Sequence, residues 1–242
     1  MHYYGFYGFD IYYLVLVVPC IILAFWAQAR VKSTFCRYEQ VLNRRGLTGA
    51  QAAEAVLRQN GVTGVRIEWV AGKLSDHFDP RTNTIRLSNA VYSSTSVASI
   101  GVAAHEAGHA VQHAVKYVPI QIRSAIIPIT NIGSRLSMPL ILVGLLFSMY
   151  SPQMYYLVYA GIACFGLAAI FQLVTLPTEF NASRRALAAI ESGHLLYDEE
   201  IQGARKTLRA AALTYVAALA VSLTQLLRLL LLFGGNGRRR ND

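Results

Sequence analysis

The sequence predicts a mainly α integral membrane protein: about four transmembrane helices and a small α+β portion, a short sheet beside a histidine-bearing helix. Three observations carry this. Of 242 residues, 54% are hydrophobic and only 14% charged, against about 25% charged in an ordinary soluble domain. Four long apolar runs punctuate the chain. The one long polar stretch, 28–124, holds short alternating runs and then His105-Glu106-Ala107-Gly108-His109. These features divide the chain into 1–27 (aromatic segment and first span), 28–124 (polar portion), 125–176 (a two-span hairpin), 177–207 (a helix) and 208–242 (last span or interfacial helix, and basic tail).

Each element has a local reason. Residues 11–27 carry no charge and nearly cross a bilayer, with Pro19 a kink candidate. Seven aromatics from Tyr3 to Tyr13 form an interfacial belt. The leader lacks the basic residues and small-residue cleavage site of a signal peptide. A helix over 31–45 follows, broken at Gly46-Leu47. Thr48-Gly49-Ala50-Gln51 reads as a capping box opening a second helix to Asn60, ended by Gly61. Residues 65–70 alternate as a strand, 74–78 as another, 79–83 as a turn and 84–88 as a returning strand. Residues 96–116 are Ala-rich, free of Pro and helical. Spans follow over 136–150 (extending back toward Ile126) and 154–176, joined by Ser151-Pro152-Gln153. The first helix break after them is set at Pro177, with Thr178 as cap. The last apolar run, 210–233, contains Arg228, which either snorkels to an interface or bends the segment onto the surface.

Net charge is +9, but its distribution indicates a lipid bilayer and not nucleic acid as partner. Arg30, Lys32, Arg37, Arg44 and Arg45 follow the first span; Arg184, Arg185, Arg205 and Lys206 follow the third. The positive-inside rule makes these flanks cytoplasmic. Arg238-Arg239-Arg240 opposes that assignment if the last run spans fully. Cys20, Cys36 and Cys164 are scattered and form neither a disulfide framework nor a zinc knuckle.

Residues 105–109 carry the chemistry. On a helix, positions i and i+4 share a face, so His105 and His109 can offer imidazole nitrogens to one Zn2+. Glu106 falls beside the metal, where its carboxylate can take a proton from a metal-bound water. Gly108 lets another backbone approach the metal-binding turn. A catalytic zinc takes three protein ligands and leaves one position for water. His113 lies a further turn along the face, but three successive turns converge poorly on one ion; it also reads as a supporting or interior histidine. Glu179 is the better third ligand. Two crossings separate it from the motif helix, and an even number returns the chain to the same compartment. The competing reading makes Glu179 a first-turn carboxylate stabilising its own helix dipole. Arg184, His194 and Tyr197 follow Glu179 and are candidate oxyanion donors. His77 either joins the site or stabilises its turn with Asp76 and Asp79.

At these residues the chain resembles the neutral zinc metallopeptidases of bacterial membranes (the YugP-like family). The likeness lies in the aromatic N-terminus and first span, in 74–80, 85–88 and 103–112, and in Pro177-Thr178-Glu179-Phe180-Asn181-Ala182-Ser183. More distantly it is similar to HtpX-like membrane peptidases. The resemblance implies a gluzincin-like zinc peptidase domain on the cytoplasmic side of a bacterial inner membrane. It implies His105, His109 and Glu179 as ligands, Glu106 as base, and a peptide or membrane-protein substrate. Where the HtpX-like pattern places Asp four residues after the Glu, this chain has Ser183, whose hydroxyl orients an imidazole less strongly than a carboxylate does. Two rival readings are an intramembrane protease, with 97–118 inside the bilayer, and a non-catalytic scaffold tied by zinc.

Overall fold

The computed structural model describes residues 10–72 and 75–234. The aromatic positions from Tyr3 to Phe9, Leu74 and Arg238-Arg239-Arg240 lie outside the described residues. The element order is a π-helical turn Tyr13–Val17, α1 (Val18–Glu39), α2 (Gly49–Gln59), β1 (Arg66–Val70), β2 (His77–Asp79), β3 (Thr84–Ser88), α3 (Asn89–Tyr92), α4 (Val97–Ala114), α5 (Val118–Phe147), a 3₁₀ turn Pro152–Met154, α6 (Tyr155–Ser192) and α7 (Asp198–Phe233). Among the described residues, four helices are long and apolar enough to cross a membrane: Tyr13–Glu39, Val118–Phe147, Pro152–Ser192 and Asp198–Phe233. The expected four-helix, mainly α architecture with a small sheet is therefore present.

The chain forms two compact units. Among the described residues, one comprises 10–26, 122–175 and 215–234; the other comprises 27–72, 75–121 and 176–214. In the first, α5 and α6 pack as a tight hairpin. A side chain on Gly161 would collide with Ser137 O and the Ile141 backbone, and one on Gly144 with Val158. The core here is Ile141, Val158, Ile162, Leu229 and Phe233. Arg228 does not reach for a surface. Its guanidinium donates to Asp10 Oδ2, with Nε at 2.8 Å, and lies over the Tyr13 ring. The end of α7 thus sits beside the start of the first helix.

The second unit holds the sheet, in order β1-β3-β2, with β1 parallel and β2 antiparallel to β3. Its core gathers Val56, Ile85, Leu87, Val91, Ile100, Ile190 and Leu196. The capping box at α2 forms as its sequence requires: the Thr48 hydroxyl accepts from Gln51 N, and the Gln51 side chain accepts from Thr48 N. The hairpin turn between β2 and β3 is built by Asp79. It accepts from Arg81 N, the Thr82 hydroxyl and Arg86 Nη1, while Asn83 takes the left-handed region at φ 50°, which Asn tolerates well. Helix α4 begins at Ser96, whose hydroxyl accepts from Ser99 N. It ends where Lys116 turns left-handed at φ 53° and Tyr117 N bonds back to Gln112 O.

Two helix boundaries differ from the sequence reading. The first helix stops at Glu39 rather than running on to 45. Backbone groups of 41–43 pair instead with 95–97: Val97 N donates to Val41 O, and Asn43 N to Thr95 O. The expected break at Pro177 is absent; α6 runs through it as one helix of 38 residues. Proline removes one helical hydrogen bond, yet the helix continues, with Thr178 and Glu179 buried in the turn that follows. Thr178 is consequently not a cap, and Glu179 lies deep inside a helix rather than in a first turn. The dipole explanation for Glu179 falls with that break.

Candidate metal centre

Two helices build the centre. On α4, His105 and His109 share a face, and their rings meet edge to face with centroids 4.7 Å apart. On α6, Glu179 is 2% exposed and turns its carboxylate to both. Its Oε2 stands 3.2 Å from His105 Nε2 and 3.4 Å from His109 Nε2. The three ligand atoms all lie within 4.8 Å of one another. Among the described residues, no fourth His, Cys, Asp or Glu joins this group.

The donor set fits zinc. Two imidazoles and one carboxylate suit it chemically. Ligand atoms about 2.0–2.2 Å from a tetrahedral ion stand about 3.3–3.6 Å apart, close to the two carboxylate–imidazole separations here. A carboxylate this deeply buried also needs positive charge nearby.

The helices can approach because position 108 is glycine. A Cβ there would lie 2.7 Å from Ala182 O, the backbone of α6 between Glu179 and Ser183. Around the ligands the hydrogen bonds continue outward. Ser183 Oγ is 3.1 Å from His105 Nδ1. His109 Nδ1 is 3.0 Å from Gln112 Oε1, and Gln112 Nε2 donates to Thr178 O at 2.8 Å and Asn181 Oδ1 at 3.0 Å.

Glu106 is buried beside this group without belonging to it. Its Oε2 accepts from Phe78 N at 3.0 Å, so the edge strand β2 holds the carboxylate. Burial pushes its pKa up to about 6; the His105 imidazole opposes the rise, and the Glu179 and Asp76 carboxylates add to it. Asp76 anchors the approach to β2 by accepting from Ser88 N at 2.7 Å and the Ser88 hydroxyl at 3.1 Å. Its own pKa is raised, chiefly by burial.

The remaining sequence candidates fall outside the cluster. His77 is exposed and bonds to Ser75 O within its own turn. His113 is exposed and its ring packs on Phe78, with centroids 5.8 Å apart. Arg184 is exposed and stands about 140° around α6 from Glu179 at 3.6 residues per turn. His194 and Tyr197 follow the end of α6. From Glu179 to Ser192 the helix rises about 20 Å, so neither reaches the carboxylate. The His194 backbone serves Arg45, and Tyr197 N donates to Glu200. Conversely, the sequence reading gave no role to Gln112, Asn181 or the Phe78 amide. For Gln112 a signal existed: an amide three residues after a ligand, on an apolar helix, needs partners.

Fold and cluster together define a multi-helix membrane protein with a His-Glu-x-x-His centre completed by a glutamate from a second helix. The model of the family described as "Putative neutral zinc metallopeptidase" matches residues 13–234, and the chain belongs to that family. It is 43% identical over 229 residues to the "Putative membrane protease YugP" of Bacillus subtilis (strain 168), covering 95% of this chain and 99% of the relative. No solved structure matches the chain.

Proposed function

We propose that the chain is a membrane zinc endopeptidase that hydrolyses peptide bonds at the cytoplasmic membrane surface. One observation carries this reading. Three side chains form the ligand cluster, whereas Glu106, in the same motif, stays outside it with its carboxylate held by a strand amide. Zinc, when bound by His105, His109 and Glu179, supplies Lewis-acid polarisation of the scissile carbonyl and lowers the pKa of water toward about 7. Glu106 takes the proton as the water oxygen adds to the carbonyl carbon. It returns that proton to the amine nitrogen as the C–N bond breaks. Phe78 N–H fixes Oε2 and leaves Oε1 for the transfer. β2 is an edge strand whose Phe78 N–H is taken by Glu106, so an extended substrate backbone can pair only with the edge groups that remain.

The cytoplasmic placement rests on charge. All nine basic residues named from the span flanks fall in 27–121 or 176–214, the unit that contains the cluster. The Asp10–Arg228 pair supports a full crossing by α7, since it brings that helix's end to the start of the first. Two observations weigh against the rivals. Helix α4 is not among the helices apolar enough to span, which disfavours an intramembrane site. A three-ligand set leaves a position for water, which disfavours a purely structural zinc. Glu106→Gln should bind zinc as the unmodified protein does and lose cleavage of membrane-derived peptides. Cleavage persisting in that variant, or native protein that binds zinc without turning over any peptide, overturns the reading.

A further inference from the structure

The geometry points to Gln112 as a positioning residue that fixes which nitrogen of His109 faces the metal and clamps the two ligand-bearing helices together. Gln112 is fully buried at 0% exposure, on the α4 face that carries both ligands. Its amide has two unlike ends, and the surroundings determine which end points where. Thr178 O is a backbone carbonyl and can only accept a hydrogen bond. The amide nitrogen must therefore face it, at 2.8 Å. That leaves Oε1 toward His109 Nδ1, at 3.0 Å. An amide oxygen only accepts, so Nδ1 carries the proton and Nε2 presents its lone pair. Nε2 is the atom turned to Glu179, at 3.4 Å. The backbone of one helix thus sets the tautomer of a ligand on another through a single side chain.

The same side chain grips α6 on both sides of Glu179. It bonds Thr178, one residue before, and the Asn181 side chain, two residues after. Asn181 is itself held by Arg185 Nε at 2.8 Å. One turn back on α4, Gly108 lets the backbones close near Ala182, which keeps this bridge short. His105 has no comparable lock. Its Nδ1 meets the Ser183 hydroxyl, a rotor able to donate or accept, so Ser183 imposes no tautomer.

The proposal rests on reading the cluster as a zinc site, and the test separates the two. Zinc affinity, measured by chelator competition on the full-length protein in detergent, is compared with metal-free thermal stability. Gln112→Leu should lower affinity about 10–100-fold, the range for loss of a group that orients a metal ligand; Ser183→Ala should lower it less. Gln112→Glu keeps an acceptor for Nδ1 but cannot bridge to Thr178 O as an ionised carboxylate. It should lose metal-free stability as Gln112→Leu does, yet retain most of the affinity. In the zinc-loaded native protein, the His109 Nδ1–H resonance should be protected from solvent exchange. Native zinc binding left unchanged by Gln112→Leu, equal affinity losses in the Leu and Glu variants, or a freely exchanging Nδ1–H overturns the assignment. Native protein that binds no zinc overturns the metal-site reading instead.

Discussion

Replacing Gly108 with alanine should loosen the grip on zinc far more than it weakens the fold. The new Cβ would lie 2.7 Å from Ala182 O, 3.3 Å from Ala182 C and 3.4 Å from Ala182 Cα. The obstacle is helix backbone, which cannot rotate aside. An ordinary carbon–oxygen contact needs about 3.3 Å, so α4 and α6 must part by about 0.6 Å at this point. Ligand distances in metal sites hold to about 0.2 Å. The separation acts directly on the 3.2 and 3.4 Å gaps between Glu179 and the histidines, since Ala182 lies between Glu179 and Ser183. Affinity should fall about 10–100-fold. The fold itself should lose only about 0–2 kcal/mol: overpacking costs about 1–3 kcal/mol, and alanine returns about 1 kcal/mol of helix propensity. Gly101→Ala is the control on the same helix. Its Cβ would meet Ala204 Cβ at 3.4 Å, an ordinary contact, so zinc affinity should hold. Chelator competition and thermal melting on both variants decide the matter. Native affinity in Gly108→Ala, or an equal loss in Gly101→Ala, refutes the close-approach argument.

Two further outcomes follow from charged side chains. In the metal-free protein, Glu106 rises from 4.5 in the unfolded chain to about 6 when folded. The folded state then holds a proton over a window in which the unfolded state has released it. The resulting stability is fully present below about pH 4.5 and is lost as pH rises through about 6, roughly 2 kcal/mol in all. Glu106→Gln should flatten that part of the melting-temperature profile, and an unchanged slope would place the titration elsewhere. Arg228→Met leaves the half-buried Asp10 carboxylate without its guanidinium and should cost about 1–3 kcal/mol in detergent, whereas adding Asp10→Ala should recover most of it. A single variant as stable as the native protein would show that the pair does not join the two helices.

Local signals in the sequence translated well into structure. The capping box at Thr48 and Gln51 needs only four residues to act, and the turn at Asp79 only five. The juxtaposition of His105 and His109 follows from helical spacing, and Glu179, singled out by crossing parity, lies beside them in a group that could hold a metal ion. What depended on remote partners was less legible. The end of α1 at Glu39 is set by pairing with 95–97, some fifty residues away. Pro177 reads as a break by local rules, yet α6 runs through it, and that continuity puts Glu179, Thr178, Asn181 and Ser183 in register against α4. Gln112 shows the limit most clearly. Its sequence position marks it as a buried polar group, but its three partners come from His109 and from residues 66 and 69 positions further along. His194 and Tyr197 show the converse: closeness in sequence to Glu179 becomes distance along a helix that runs on to Ser192.

The most direct test of the central claim is a structure of the zinc-loaded protein. The account predicts one ion held by His105 Nε2, His109 Nε2 and a Glu179 carboxylate oxygen, the last within about 2.2 Å, with Glu106 beside it and no other side chain bound. A fourth protein ligand on the ion, or an ion bound by the histidines with Glu179 well outside that distance, contradicts it.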